Sequence, residues 1–291
     1  MKNNKTLKSI GRSSDEMIPV EISPFCNFSC EKCIVKKRLH EEKPRDNPKI
    51  VEEIIRYVPQ NSYLGFIGLG EPLMPIGQKR IEEIMTKRKD IQAHIQTNGS
   101  FKLNNKLVEF VKEGRLDIGI SYDPHHQQAK NYKINIQEDC VIGVTVVLSS
   151  TPKSFSVKFL KRKFPNLAKI LVGPMFDIDI SITQPIMSWE KVYEFCAEIG
   201  DNKEGIIIFL EISKDWEDEP SKKMIRKAIT GKKILKECYA MPEGFFIYID
   251  EYSKVPRILT NSKVLLAGEK GILSWKEIEN ELVSIEEFFK D

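Results

Sequence analysis

The chain has 291 residues, 41% of them hydrophobic and 30% charged, with 16 Gly and 15 Pro. That balance excludes a disordered, collagen-like or coiled-coil protein and leaves a globular chain long enough for one large domain or two ordinary ones. Lys and Arg number 45 against 42 Asp and Glu, a formal net charge of +3, so bulk attraction to nucleic acid is not expected. No apolar run nears the roughly 20 residues that span a bilayer. The first sixteen residues are basic and polar and lack the apolar core of a secretory signal. A soluble cytoplasmic protein is expected, with residues 1–16 as a flexible arm.

In chain order, MIPVEIS (17–23) reads as a strand, followed by a cysteine-rich loop and a helix over 48–58 with Pro48 in its first turn. Strands are expected at 63–69, 91–97, 116–122, 141–149, 167–173 and 205–213, and helices near 76–89, 103–113, 153–163 and 189–199. Runs of β-branched residues separated by helices imply buried parallel strands with helical crossovers, so an open α/β sheet and a barrel both fit. Past about residue 214 the rhythm changes. A charged helix is expected at 221–236, then an antiparallel pair from GFFIYID and VPRIL joined through Glu251–Lys254, then an amphipathic helix at WKEIENELVSIEEFF.

Of six cysteines, Cys26, Cys30 and Cys33 crowd into C-NFS-C-EK-C directly after the first strand. In a reducing compartment such a cluster reads as metal ligands or redox groups rather than disulfides. A loop leaving a strand's carboxyl end can aim three thiolates at one centre and leave a fourth position open. On zinc that is a catalytic type of site, and on a cubane iron–sulfur cluster it leaves one iron without a protein ligand. A structural zinc loop completed by His40 or a distant cysteine is the alternative.

Two more motifs end successive strands. Gly68-Leu69-Gly70-Glu71-Pro72 follows the second, and Gln96-Thr97-Asn98-Gly99 closes the third. Glycines there allow close approach of a ligand to the backbone, and a carboxylate among exposed carbonyls suits a protonated amine. In a parallel α/β fold ligands collect at this rim.

The combination C-x3-C-x2-C, Gly-x-Gly-Glu-Pro and Thr-Asn-Gly resembles the radical S-adenosylmethionine (radical SAM) enzymes over roughly residues 17–215. The resemblance implies an α/β fold, a partial (β/α)6 TIM-like barrel with a small C-terminal α+β extension at 216–291. It implies one [4Fe–4S] cluster on Cys26, Cys30 and Cys33, with the amine and carboxylate of S-adenosyl-L-methionine on the fourth iron, and Gly68, Gly70 and Glu71 along the methionine amino group. Thr97 and Asn98 would share that rim. Ser121 and Asp123 resemble the Ser-x-Asp of the peptide-modifying branch and would bond the ribose or carboxylate, with Lys133 spaced for the carboxylate. A solvated Lys133 is the competing reading. Lys32 stands where family members carry an aromatic residue against the adenine; Phe28 or Ile34 is the substitute on offer. The implied reaction is reductive cleavage to a 5′-deoxyadenosyl radical, which takes hydrogen from an unactivated carbon. An oxygen-sensitive enzyme served by a flavodoxin- or ferredoxin-type donor follows.

The stretch Cys238–Asp250 is similar to the opening of the SPASM/twitch-like extension of peptide-modifying members, but no cysteine follows Cys238, so no auxiliary cluster is expected. A ribosomally made peptide, epimerised or cross-linked, is the expected substrate; a small molecule or nucleoside is the alternative, and a zinc-stabilised binding protein the alternative from another class. Cys140 and Cys196 read as small core residues, and Cys238 as a candidate hydrogen-atom donor. His125 and His126 read as solvated.

Overall fold

The computed structural model describes residues 17–23, 25–28, 30, 49–67, 70–122, 124–127, 132–150, 155–174, 176–177, 181–185, 187–200, 204–212, 235–239, 246–248, 257–259 and 282–284. Strands β1 (Met17–Val20), β2 (Tyr63–Phe66), β3 (Gln92–Thr97), β4 (Leu116–Ser121), β5 (Val141–Leu148) and β6 (Lys169–Pro174) lie side by side in chain order, every neighbouring pair parallel. Helices α1 (Ile50–Tyr57), α2 (Pro75–Lys87) and α3 (Asn105–Lys112) cross over between the first four strands. The four-residue α4 (Pro124–Gln127) and a 3-10 turn at Glu138–Cys140 precede β5, and α5 (Val157–Lys163) leads to β6. The result is a partial α/β barrel of the TIM type, as the family resemblance implies.

Local chemistry explains the helix starts. Asn104 Oδ1 accepts from Leu107 N at 2.9 Å at the head of α3, and Ser156 Oγ accepts from Phe159 N at 3.3 Å at the head of α5. Pro75 occupies the first turn of α2, where its missing N–H costs nothing.

Alternation along the strands sends one set of side chains outward under the helices. Phe66, Ile95, Ile118, Ile120, Val144 and Ile170 meet Ile50 and Ile54 of α1, Ile81 and Ile84 of α2, and Leu107 of α3 in one apolar core. Each fully buried Ile or Leu there contributes about 2 kcal/mol. The inner face is polar, and its lumen carries His94, Gln96, Ser121 and Thr145.

Beyond β6 the sheet departs from the expected plan. A two-stranded antiparallel ribbon, β7 (Phe176–Asp177) with β8 (Ser181–Pro185), precedes α6 (Trp189–Gly200). β9 (Ile207–Ile212) returns beside β6, and β10 (Leu235–Tyr239) pairs parallel with β9. Residues 235 and 236, expected at the end of a charged helix, therefore begin a strand; the rest of that helix lies outside the described residues. β11 (Phe246–Tyr248) and β12 (Arg257–Leu259) form the expected antiparallel pair, with Phe246 opposite Leu259. β11 also pairs parallel with β1, through Val20 and Ile247, so the C-terminal strands join the sheet at its other edge. β13 (Leu282–Ser284) corrects the closing helix expected at 275–289: it pairs with β12, placing Val283 opposite Ile258. A free strand edge offers ladder hydrogen bonds that override a helical pattern of this strength.

Candidate functional site

The loop after β1 reaches the carboxyl ends of the strands through buried Glu21, Ile22 and Ser23. Ser23 Oγ accepts from Phe25 N at 3.3 Å and turns the chain into the cysteine segment. Cys26 is half-buried and its Sγ accepts from Phe28 N at 3.4 Å; Cys30 is buried. Neither forms a disulfide. Cys33, Gly68 and Asp123 lie outside the described residues.

Gly70 shows why glycine is required after β2. A Cβ there would collide with Ser23 O and sit 2.8 Å from Phe25 O, so only glycine lets this loop press against the cysteine loop. Glu71 N then donates to Phe25 O at 2.7 Å.

The Glu71 side chain turns inward and is only 2% exposed. Oε1 accepts from Leu73 N at 2.9 Å and Thr97 Oγ1 at 2.5 Å, and Oε2 accepts from Asn98 N at 2.8 Å. Burial pushes its carboxyl above the ordinary range, while these three donors pull the other way. The carboxylate thus ties the loop after β2 to the turn after β3. That turn needs Gly99 at φ +76°, and Thr97 Oγ1 accepts from Gly99 N at 3.0 Å.

Asn98 carries the connection back to the cysteines. It is 6% exposed; its Oδ1 accepts from Ser100 N at 2.9 Å, and its Nδ2 donates to Asn27 Oδ1 at 3.0 Å and lies 4.0 Å from Cys26 Sγ. Asn27 Nδ2 in turn donates to Ser100 Oγ at 3.0 Å. Behind the turn, Gln78 of α2 donates from Nε2 to Leu73 O and Lys102 O, both at 2.9 Å, and accepts from Asn104 N at 2.9 Å. Arg80 Nη1 reaches Ile22 O at 3.1 Å.

In the lumen, Gln96 Nε2 donates to Ser121 Oγ at 3.1 Å while its Oε1 accepts from Thr145 Oγ1 at 3.2 Å. With a lone pair of Ser121 engaged, its O–H is left to donate to a bound molecule. Two residues earlier on β3, His94 keeps part of its surface in the lumen but its Nδ1 is closed off from water without a hydrogen-bond partner. Burial, helped by the nearby Lys169 charge, pushes its pKa down to about 3, and a hydrogen bond to Gln96 opposes the shift.

The structure therefore brings Cys26, Gly70, Glu71, Thr97, Asn98 and Ser121 to one rim, and buries Cys30 four residues after Cys26. Lys133 is exposed near that rim, one residue after Tyr132, whose ring packs at 6.0 Å between centroids against Phe28. Cys238 lies on β10, opposite Glu211 of β9, within the sheet. Cys140 and Cys196 are buried, and burial pushes their thiols up to about 11 and about 12. Sequence reasoning missed the roles of Asn27, Gln78, Arg80 and Ser100. Asn27 lies inside the cysteine motif and was the one legible in principle. Among the described residues no helix is long and apolar enough to cross a membrane.

The donor chemistry suits an iron–sulfur cluster. Soft thiols at the strand ends, with an N–H directed at Cys26 Sγ, match what such clusters need.

No family model matches the chain, and no curated protein matches it. Solved structures do. SuiB of Streptococcus suis bound to S-adenosylmethionine matches with a TM-score of 0.55 and 12% identity, over 95% of this chain and 66% of that one. Histidine-tagged anSMEcpe with bound AdoMet matches at 0.48 and 15% identity, over 94% and 82%. BtrN in complex with AdoMet and 2-DOIA matches at 0.31 and 20% identity, over 41% of this chain and 48% of BtrN, so the chain spans about half the length of that relative. The likeness to S-adenosylmethionine-bound SuiB is one of fold.

Proposed function

We propose that the protein is a radical SAM enzyme. The observation that carries the reading is the rim itself: the Cys26–Cys30 loop held against Gly70 and Asn98 at the carboxyl ends of β1, β2 and β3, in a fold shared with a SAM-bound protein. Cys26, Cys30 and Cys33 would hold a [4Fe–4S] cluster. Such a cluster, reduced by a low-potential flavodoxin- or ferredoxin-type donor, would supply the one electron for reductive cleavage of bound S-adenosylmethionine to methionine and a 5′-deoxyadenosyl radical.

The chain's own residues bind and orient. The backbone of Gly68, Gly70 and Glu71 would lie along the methionine amino group, and the inward carboxylate of Glu71 would fix that backbone. Thr97 and Asn98 would close the same edge. The Ser121 O–H, oriented by Gln96, would donate to the ribose or carboxylate, alongside Asp123 and Lys133. The Phe28–Tyr132 ring pair offers the apolar surface for the adenine that Lys32 does not. The substrate would enter at the same rim, since near-attack geometry demands contact within about 3–4 Å.

A peptide substrate is the preferred reading, on the resemblance at Ser121 and at Cys238–Asp250; SuiB has also been solved bound to the precursor peptide SuiA. Residues 216–291 would form the extension beside the barrel. Cys238 would give its S–H hydrogen atom to the substrate carbon radical, leaving a thiyl radical that the low-potential donor and a proton return to the thiol; Cys238→Ala would then abolish deuterium uptake from solvent into product while sparing SAM cleavage.

Anaerobic reconstitution with iron and sulfide tests the reading. A brown protein with about four irons per chain that forms 5′-deoxyadenosine from SAM under dithionite is expected. A colourless one-zinc protein, or a fully loaded one that leaves SAM intact, would overturn it.

A further inference from the structure

We propose that Asn27 and Asn98 form an amide clasp that positions Cys26 and directs an N–H at its sulfur, making both asparagines positioning residues for the cluster; the inference rests on the iron–sulfur reading above. Three observations support it. All four polar side-chain atoms of the pair are engaged: Asn98 Nδ2 with Asn27 Oδ1, Asn27 Nδ2 with Ser100 Oγ, and Asn98 Oδ1 with Ser100 N. An amide donates two N–H bonds; with one on Asn27, the other lies toward Cys26 Sγ at 4.0 Å. The clasp is also anchored from below, because Asn98 N donates to the buried Glu71 carboxylate, which Leu73 N and Thr97 Oγ1 hold as well.

This arrangement does two things to the thiol. It fixes the segment after Cys26 before any metal arrives, so less loop entropy is lost on loading. It also adds a side-chain N–H to the one from Phe28 N, and donors on a ligand sulfur favour the more negative, reduced cluster. The Asn98 side chain thus bonds to the cysteine loop on the edge it would close beside the cofactor.

The experiment uses the full-length reconstituted protein and three variants: Asn27→Ala at an exposed position, Asn98→Ala, and Asn98→Asp. Thermal melts establish folding, and Asn27→Ala serves if the buried Asn98 variants unfold. Iron release to a chelator should run about tenfold faster in Asn27→Ala and Asn98→Ala, as for other groups that orient metal ligands. Redox titration followed by electron paramagnetic resonance should move the Asn98→Asp midpoint to more negative potential. A tenfold shift in the one-electron equilibrium corresponds to about 59 mV. Folded, fully loaded variants with wild-type release rates and midpoints would overturn the clasp alone. A wild-type protein that binds no cluster would overturn the parent reading, and the clasp with it.

Discussion

The two ends of the barrel are stitched by different chemistry. At the amino ends of the strands the stitches are charged: Arg88 donates to Ile55 O, Val58 O and Pro59 O at 3.2, 2.8 and 2.9 Å and pairs with Asp90 through both arms, at 3.0 and 2.8 Å. Arg115 Nη2 covers Met85 O and Arg88 O at 2.8 and 3.0 Å. A guanidinium suits the carbonyl-rich ends of α1 and α2, where the helix dipole is negative. At the carboxyl ends amides and hydroxyls gather around the buried carboxylate of Glu71, and one guanidinium, Arg80, reaches Ile22 O at 3.1 Å. The amino-end ties run through the guanidinium groups of Arg88 and Arg115, whereas those beside Cys26 are made by the amides of Asn27 and Asn98. In barrels of this kind the carboxyl end carries the chemistry and the amino end the stability.

The contrast breaks most sharply at Glu71. Glu71→Ala leaves three donors without their acceptor and should cost about 3 kcal/mol by urea unfolding. It should also speed loss of iron from the reconstituted protein, because Asn98 loses its anchor. Unchanged iron retention would show that the two loops are independent. Arg88→Ala should cost about 2 kcal/mol with iron retention as in wild type. Asp90 sharpens this. Its carboxyl is held well below the usual range, chiefly by hydrogen bonds from Arg88, so its contribution is present above the unfolded value of 3.8 and is lost as pH falls below it. The acid limb of the wild-type stability curve should flatten in Arg88→Ala; an unaltered limb would place the acid sensitivity elsewhere.

His94 lies between the two ends and gives a smaller effect. Its ring stays neutral in the folded chain, so unfolding takes up a proton, and its contribution is full above 6.5 and declines as pH falls toward 3. Unfolding free energies measured between about pH 6 and pH 4 should carry a slope of up to about 1.4 kcal/mol per pH unit that His94→Gln removes. Equal slopes would mean that the lumen admits the charged ring. The smallest effect belongs to the exposed pair Lys87–Glu83, where side chains 57% and 42% exposed meet at 2.7 Å. Lys87→Ala should change stability by less than about 0.5 kcal/mol, and a larger loss would show that α2 relies on its surface charges.

Much of the barrel was legible because its signals are local. Val141–Leu148 and Lys169–Pro174 announce themselves as apolar β-branched runs, and the helices expected near 103–113 and 153–163 form at Asn105–Lys112 and Val157–Lys163. The errors came where pairing over distance decided the outcome. Leu282–Ser284 sits inside a helical pattern yet pairs with Arg257–Leu259, and Leu235 and Lys236, expected to end a helix, begin a strand beside β9. The site divides in the same way. The motif residues were recognisable by type and spacing, but the inward turn of Glu71 and the engagement of Asn98 with Asn27 were not.

The sequence by itself determined the alternation of strands and helices and put cysteine, glycine and amide motifs at the ends of successive strands, since periodicity and turn chemistry act over a handful of neighbours. Only the tertiary structure decided which donor meets which acceptor. Asn98 and Asn27 are 71 positions apart, and Thr97 and Glu71 are 26. Their hydrogen bonds require angles and distances that exist only once the parallel sheet has brought the rim together.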